Sequence, residues 1–241
     1  MTSEQFTRTE MLTGPRATEA LAGKSVLVFG VGGVGCGVVE GLARSGIGHF
    51  ELVDNDVFEE SNLNRQLYAT YDTLGRYKVD AAEERIKSLN DRAAVSTRKI
   101  FITADNAETF NFKDFDYVID AVDTVAAKIW IITESVKAGV PVISSMGCGN
   151  RFDPTALEIT DIYKTHGDPL AKVMRRELKE RGIKHLKVLF SNEPPAKPFY
   201  ADSAKNSPGR HAPGSTPFVP AAAGLAIASE VVRDLIADDE G

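Results

Sequence analysis

Ser25-Val-Leu-Val-Phe29 is apolar almost throughout, the pattern of a strand buried on both faces. A glycine-rich stretch follows at once. Then Val34 to Ser45 places Val34, Val38 and Leu42 at helical spacing. Phe50 to Val53 predicts a second strand, Val95 to Ile102 a third and Tyr117 to Val122 a fourth. Val140 to Ile143 opens a fifth. Val79 to Leu89 and Ala126 to Ala138 predict helices between them. Strands alternating with helices predict an α/β fold: a Rossmann-like, doubly wound, mainly parallel sheet with helices on both faces. Ligands of such sheets bind beyond the carboxyl ends of the strands.

After about residue 150 the alternation loosens into an appended C-terminal α+β portion. Ala156 to Ile162 predicts a strand. Pro169 starts a helix with Asp168 as its N-cap, stopped by Gly182. Leu186 to Phe190 is another short strand. Residues 193–220, rich in Pro, Gly, Ser and Lys, predict a long mobile loop before a last helix from Ala221 to Ala237. The expected organisation is one domain over 1–241, with a nucleotide-binding core at about 20–150 and a substrate-facing portion at about 151–241.

Composition narrows the class. At 241 residues and 43% hydrophobic content, the chain can bury one good core. Met1 to Glu10 is polar and carries no apolar segment of a signal peptide. The apolar stretch Phe218 to Ser229 is too short for a membrane span. A cytoplasmic protein with no membrane partner is expected. The two cysteines, Cys36 and Cys148, form no Cys-x-x-Cys pair, which argues against a structural zinc site. The net charge is −6, but Tyr163 to Lys187 holds eight cations against three anions. Lys164, Lys172, Arg175, Arg176, Lys179, Arg181 and Lys184 are therefore candidate RNA contacts. A solvated amphipathic helix would carry the same charges.

Gly30-Val-Gly32-Gly33-Val-Gly35 lies between a strand and a helix, where a phosphate-binding loop belongs. Glycines let the backbone approach a phosphate, and the helix start offers free N–H groups. Asp54 follows at the spacing of a ribose-binding acid, with Asp56 two residues on. A dehydrogenase would share these features. Asn64, Arg65 and Gln66 point instead to a triphosphate, whose charge needs cations and amide donors near the loop. Lys78 supplies a second cation. Asp120 and Asp123 end the fourth strand, and a carboxylate facing ATP needs a cation, so Asp123 is a candidate Mg²⁺ ligand. It could equally cap the next helix, and the two roles are compatible.

Together, Gly30-x-Gly-Gly-x-Gly35, Asp54-x-Asp56, Asn62-x-Asn-Arg-Gln66, Lys78 and Asp120-x-x-Asp123 resemble the ThiF/MoeB/HesA (ubiquitin-activating-like) superfamily. The resemblance implies adenylation of a carboxylate, with Arg65, Lys78 and Asp123 handling ATP and Mg²⁺. It also implies a homodimer in which Arg8, from Arg8-Thr-Glu-Met-Leu-Thr-Gly14, enters the partner's site. Ser144-Ser-Met-Gly147, Asn150-x-x-Asp-Pro154, Asp161-Ile-Tyr-Lys-Thr165, Asp168-Pro-Leu-Ala171 and Phe218-Val-Pro220 look like the tRNA threonylcarbamoyladenosine dehydratases. That family implies tRNA as substrate and ATP-driven cyclisation of the threonylcarbamoyl group on the adenosine beside the anticodon.

Thr165-His166-Gly167-Asp168 lacks a cysteine that some members carry before Pro-Leu-Ala, so a cysteine relay is not supported. A monovalent cation near 144–150 and sulfur-transfer partners stay open at this point. Three competing readings remain: an adenylyltransferase for a ubiquitin-like sulfur carrier, an NAD-dependent oxidoreductase, and a non-catalytic ATP-sensing RNA-binding module.

Overall fold

The computed structural model describes residues 4–102, 110–199 and 213–237. Seven strands form one sheet: β1 Ser25–Phe29, β2 His49–Val53, β3 Ala94–Arg98, β4 Tyr117–Asp120, β5 Val142–Ser145, β6 Leu157–Asp161 and β7 Lys187–Ser191. Their order is β3-β2-β1-β4-β5-β7-β6, and only β6 runs antiparallel. The chain leaves β1 toward one edge and returns at β4 toward the other. The carboxyl ends of β1 and β4 therefore flank the crevice where such sheets take ligands.

The helices are α1 Thr7–Thr13, α2 Pro15–Gly23, α3 Gly33–Ser45, α4 Lys78–Leu89, α5 Val125–Ala138, α6 Pro169–Glu180 and α7 Phe218–Ala237. The two N-terminal helices were not expected from the sequence. The doubly wound, mainly parallel expectation holds, with shorter elements at several places. The third strand ends at Arg98 rather than Ile102, and the fourth at Asp120 rather than Val122. The last helix begins at Phe218, ahead of the expected Ala221. Pro220 sits in its first turn, where a missing N–H costs nothing. The expected 193–220 loop accordingly ends sooner, and its residues 200–212 lie outside the described ones.

On one face of the sheet, α7 lies along α3 and buries Val219, Ala223, Ile227, Val231 and Leu235 at four-residue steps. Glycine makes this crossing possible. A methyl on Gly224 would overlap the Val34 carbonyl oxygen, and one on Gly37 would come within 2.9 Å of the Ala221 carbonyl oxygen. Gly224→Ala is expected to destabilise the fold by about 3 kcal/mol, the upper range for overpacking a tight contact. Urea denaturation would show it, and an unchanged midpoint would contradict this packing. On the other face Phe29, Phe110, Phe112 and Trp130 form an aromatic cluster with ring centroids 5.4–6.3 Å apart.

Candidate nucleotide and substrate site

The Gly30–Gly35 loop is braced from both neighbouring strands. Gly30 N–H donates to the Val53 carbonyl at 2.8 Å. Gly30 has φ +88°, and a Cβ there would lie 2.7 Å from the Ala121 oxygen, in the segment leaving β4. A methyl on Gly35 would overlap the Gly30 carbonyl oxygen. The loop's tight course thus depends on bare backbone at its two ends.

Asp54 holds this loop as well as facing the crevice. Its Oδ2 accepts from Val31 N–H at 2.7 Å and its Oδ1 from Asp56 N–H at 2.8 Å. Burial pushes its pKa up, opposed by Lys78 and by those two N–H groups. Lys78, buried at the start of α4, donates to Asp56 Oδ2 at 2.7 Å.

Gln66 is buried with Oε1 lacking a partner among the described residues, and its Nε2 lies 3.9 Å from where a Gly32 Cβ would be. Arg65 is half-buried against the same loop, its Cγ 3.8 Å from a Gly33 Cβ position. Burial lowers its pKa. Its Nη1 donates to the Ser61 carbonyl at 2.8 Å and to Asn64 Oδ1 at 3.0 Å. Asn64 donates its amide to the Ser215 carbonyl at 3.0 Å, so that group ties down the segment before α7.

Asp123 is exposed between β4 and α5, and its Oδ1 accepts only from Thr124 Oγ, at 3.2 Å, among the described residues. Thr124, not Asp123, is the N-cap of α5, so the capping alternative is not realised. One uncommitted carboxylate suits Mg²⁺, which binds through one or two carboxylates plus phosphate oxygens. No group of three or more His, Cys, Asp or Glu is arranged to hold a metal among the described residues, so phosphate would have to complete the shell.

Asp120 differs from the expectation of a ligand-facing acid. It is fully buried: Oδ2 accepts from Lys128 Nζ at 3.1 Å and from Ser144 Oγ at 2.5 Å, and Oδ1 from Val122 N–H at 3.2 Å. Lys128 also donates to the Ser145 carbonyl at 2.7 Å. Sequence reading missed Lys128. Its signal was a single cation inside the apolar run Val125 to Ile132.

A second buried pair lies at the end of β5. Asp168 caps α6 through Ala171 N–H at 3.0 Å, as expected, and also accepts from Gly147 N–H at 3.1 Å. Arg151 Nη2 is 3.7 Å from it, while Nε and Nη1 of Arg151 have no partner among the described residues.

The basic segment does not gather at this site. Asp168 places the start of α6 at the carboxyl end of the sheet, and the helix then runs away for about 18 Å. Lys172 is in its first turn, but Arg181 and Lys184 lie beyond its far end, and Lys164 follows β6 at that same far end. Arg175 bonds the Thr165 carbonyl at 2.9 Å, and Arg176 and Arg181 both pair with Glu177. Lys164, Lys172, Lys179 and Lys184 are the exposed cations of the segment with no ion pair among the described residues. Arg8 is also exposed, on α1. Phe6, two residues before it, packs at Gly46, just past the C-terminus of α3. The glycine loop is at the other end of α3, about 20 Å away. Arg8 is thus not beside the loop of its own chain.

The cysteines are packing groups. Burial pushes Cys36 up to about 12 and Cys148 up to about 11. Both thiols stay protonated at pH 8, so iodoacetamide should label the native protein far more slowly than the urea-denatured one. Rapid labelling of either residue in the native state, read by mass spectrometry, would contradict this placement.

Comparison with known proteins agrees with this geometry. The chain is 44% identical to the tRNA threonylcarbamoyladenosine dehydratase of Bacillus subtilis over 98% of its length and 96% of that protein. It superposes on the E. coli tRNA N6-threonylcarbamoyladenosine dehydratase bound to ATP with a TM-score of 0.88 and 31% identity. That match covers 98% of this chain and 96% of the other. The AMP complex of the E. coli enzyme matches equally, at TM-score 0.88. The ThiF family model spans residues 6–240, and the chain is a member of the ThiF family.

Proposed function

We propose that the chain is an ATP-dependent tRNA threonylcarbamoyladenosine dehydratase. The observation that carries the reading is the end-to-end identity with the B. subtilis enzyme, and the glycine loop with Arg65, Gln66 and Lys78 supplies matching chemistry. One continuous sheet carries both portions, which supports reading 1–241 as one domain.

A carboxylate is a poor electrophile, because its charge repels nucleophiles and oxide is a poor leaving group. Its oxygen attacks the α-phosphorus of ATP, giving an acyl adenylate and pyrophosphate. The start of α3 at Gly33, Arg65 and Lys78 neutralise charge growing on the pyrophosphate. Asp123 would hold Mg²⁺, which would supply further neutralisation of the triphosphate. The carbamoyl group of the same nucleotide then attacks the activated carbonyl and expels AMP. The net change is loss of water, and ring closure gains from being intramolecular.

Arg8 is about one helix length from its own loop and suits the site of a second copy. Exposed Met11 (78%) and Leu12 (89%) on the same helix favour a homodimer. Lys164, Lys172, Lys179 and Lys184 suit the backbone of a tRNA reaching beyond the site. No helix among the described residues is long and apolar enough to cross a membrane, consistent with action on cytoplasmic tRNA. The sulfur-carrier reading has less support, as no Cys-x-x-Cys pair is present. Purified protein with Mg-ATP should convert threonylcarbamoyl-modified tRNA to a product lighter by one water, with release of AMP. Unchanged tRNA by mass spectrometry would sink the reading.

A further inference from the structure

Phe152 and Phe218 come from distant parts of the chain and meet at the carboxyl end of the sheet. Their ring centroids are 5.6 Å apart with planes at 71°. Yet Phe152 is 64% and Phe218 51% exposed, so the pair buries little beyond its own contact. Leaving two large rings in water forgoes the stabilisation that burial gives.

Both rings are held in place. Glu193 accepts from Phe152 N–H at 2.9 Å and from Asp153 N–H at 2.9 Å. Asn150 N–H donates to the Gly214 carbonyl at 2.7 Å, and Gly214 N–H donates back to Asn150 Oδ1 at 2.7 Å. This joins the loop before Phe152 to the segment before Phe218. That segment is fixed to the Asn62–Gln66 stretch by Asn64 on Ser215, and it packs on the nucleotide loop, where Pro220 would lie 3.0 Å from a Gly33 Cβ. Of the nearby carboxylates, Glu193 accepts from those backbone N–H groups and the exposed Asp153 accepts from the backbone N–H and hydroxyl of Thr155. Lys172, Arg65 and Lys78 are among the cations at this end of the sheet.

We infer that Phe152 and Phe218 form a stacking platform for a single-stranded RNA base, the target adenine or its neighbour, beside the adenylation site. A base to be modified must be unstacked from its neighbours, and proteins recognise such bases on aromatic faces. The inference rests on the tRNA reading and adds the groups that seat the base.

The test uses the full chain with Phe152→Leu, Phe218→Leu and Phe152→Trp. Leucine keeps apolar volume and removes the π face, and thermal melts confirm folding. The probe is an anticodon stem-loop RNA, intact or with an abasic nucleotide at the target or next position. Each leucine variant should weaken binding of intact RNA about ten-fold, within the range for one stacked base. The tryptophan variant should bind like wild type, ATP affinity should not change, and the leucine penalty should vanish on one abasic RNA. Wild-type RNA affinity in both leucine variants overturns the platform, as does a loss confined to ATP, which would assign the rings to the ATP adenine. Wild type that binds no RNA overturns it too. Conversion of tRNA with no leucine effect leaves the dehydratase reading standing and removes only the platform. A leucine effect in a protein that converts nothing does the reverse.

Discussion

Lys128→Met is expected to lower stability by about 3–5 kcal/mol, because it leaves Asp120 as an uncompensated buried charge. The side chains of Lys128 and Asp120 are 1% and 0% exposed. Methionine matches the length of the lysine stem, so loss of packing contributes little. Thermal melting should fall by on the order of 10 °C for a domain of this size. Lys128→Met combined with Asp120→Asn should recover part of the loss, since asparagine still accepts from Val122 N–H and carries no charge. The consequence is also functional. Asp120 Oδ1 fixes the backbone at Val122, the residue before Asp123. Freeing that backbone should lower turnover by more than it weakens ATP binding. A Lys128→Met protein that melts within about 2 °C of wild type would show that the pair does not anchor the end of β4.

Why was this pair illegible in the sequence? Periodicity reports which face of an element is apolar, and it places strands and helices well where burial is continuous. The runs Ser25–Phe29 and Tyr117–Asp120 were readable for that reason. Periodicity does not say that a lysine one helical turn into α5 folds back under the end of β4. Partners 8 and 16 residues apart, such as Asp120 and Ser144, are set by sheet order. The glycine loop, Asp54, Arg65, Gln66 and Lys78 were readable as a group because they fall in short motifs, and the structure brings them together. Even there, Asp54 holds Val31 N–H and Asn64 anchors Ser215, contacts that local sequence does not encode. The basic segment shows the converse. Charge counting merged residues that α6 spreads over two ends of the sheet, and it took no account of Glu177 or Thr165 as partners.

Lys78→Ala is expected to cut kcat/KM for modified tRNA by roughly 10²–10³-fold, the usual cost of removing one donor that stabilises developing charge. Its ion-pair partner Asp56 is an exposed residue, so the variant strands no buried charge on that side and should fold. Arg65→Lys keeps a cation but loses the two-pronged grip on phosphate, so an intermediate loss is expected. Lys78→Ala has a second effect, through Asp54. Burial raises the Asp54 pKa, and Lys78 is the first of the groups opposing that rise. Without Lys78 the carboxyl should shift further up. Protonated Asp54 is a weaker acceptor for Val31 N–H, so the acid limb of the rate profile should move to higher pH. Arg65→Lys is not expected to move it, because the substitution keeps a cation at that position and leaves Lys78 in place. The two variants thus separate a cation that acts only on the phosphates from one that also sets the state of the loop's brace. Turnover of Lys78→Ala within about threefold of wild type, or an unmoved acid limb, would remove Lys78 from this role.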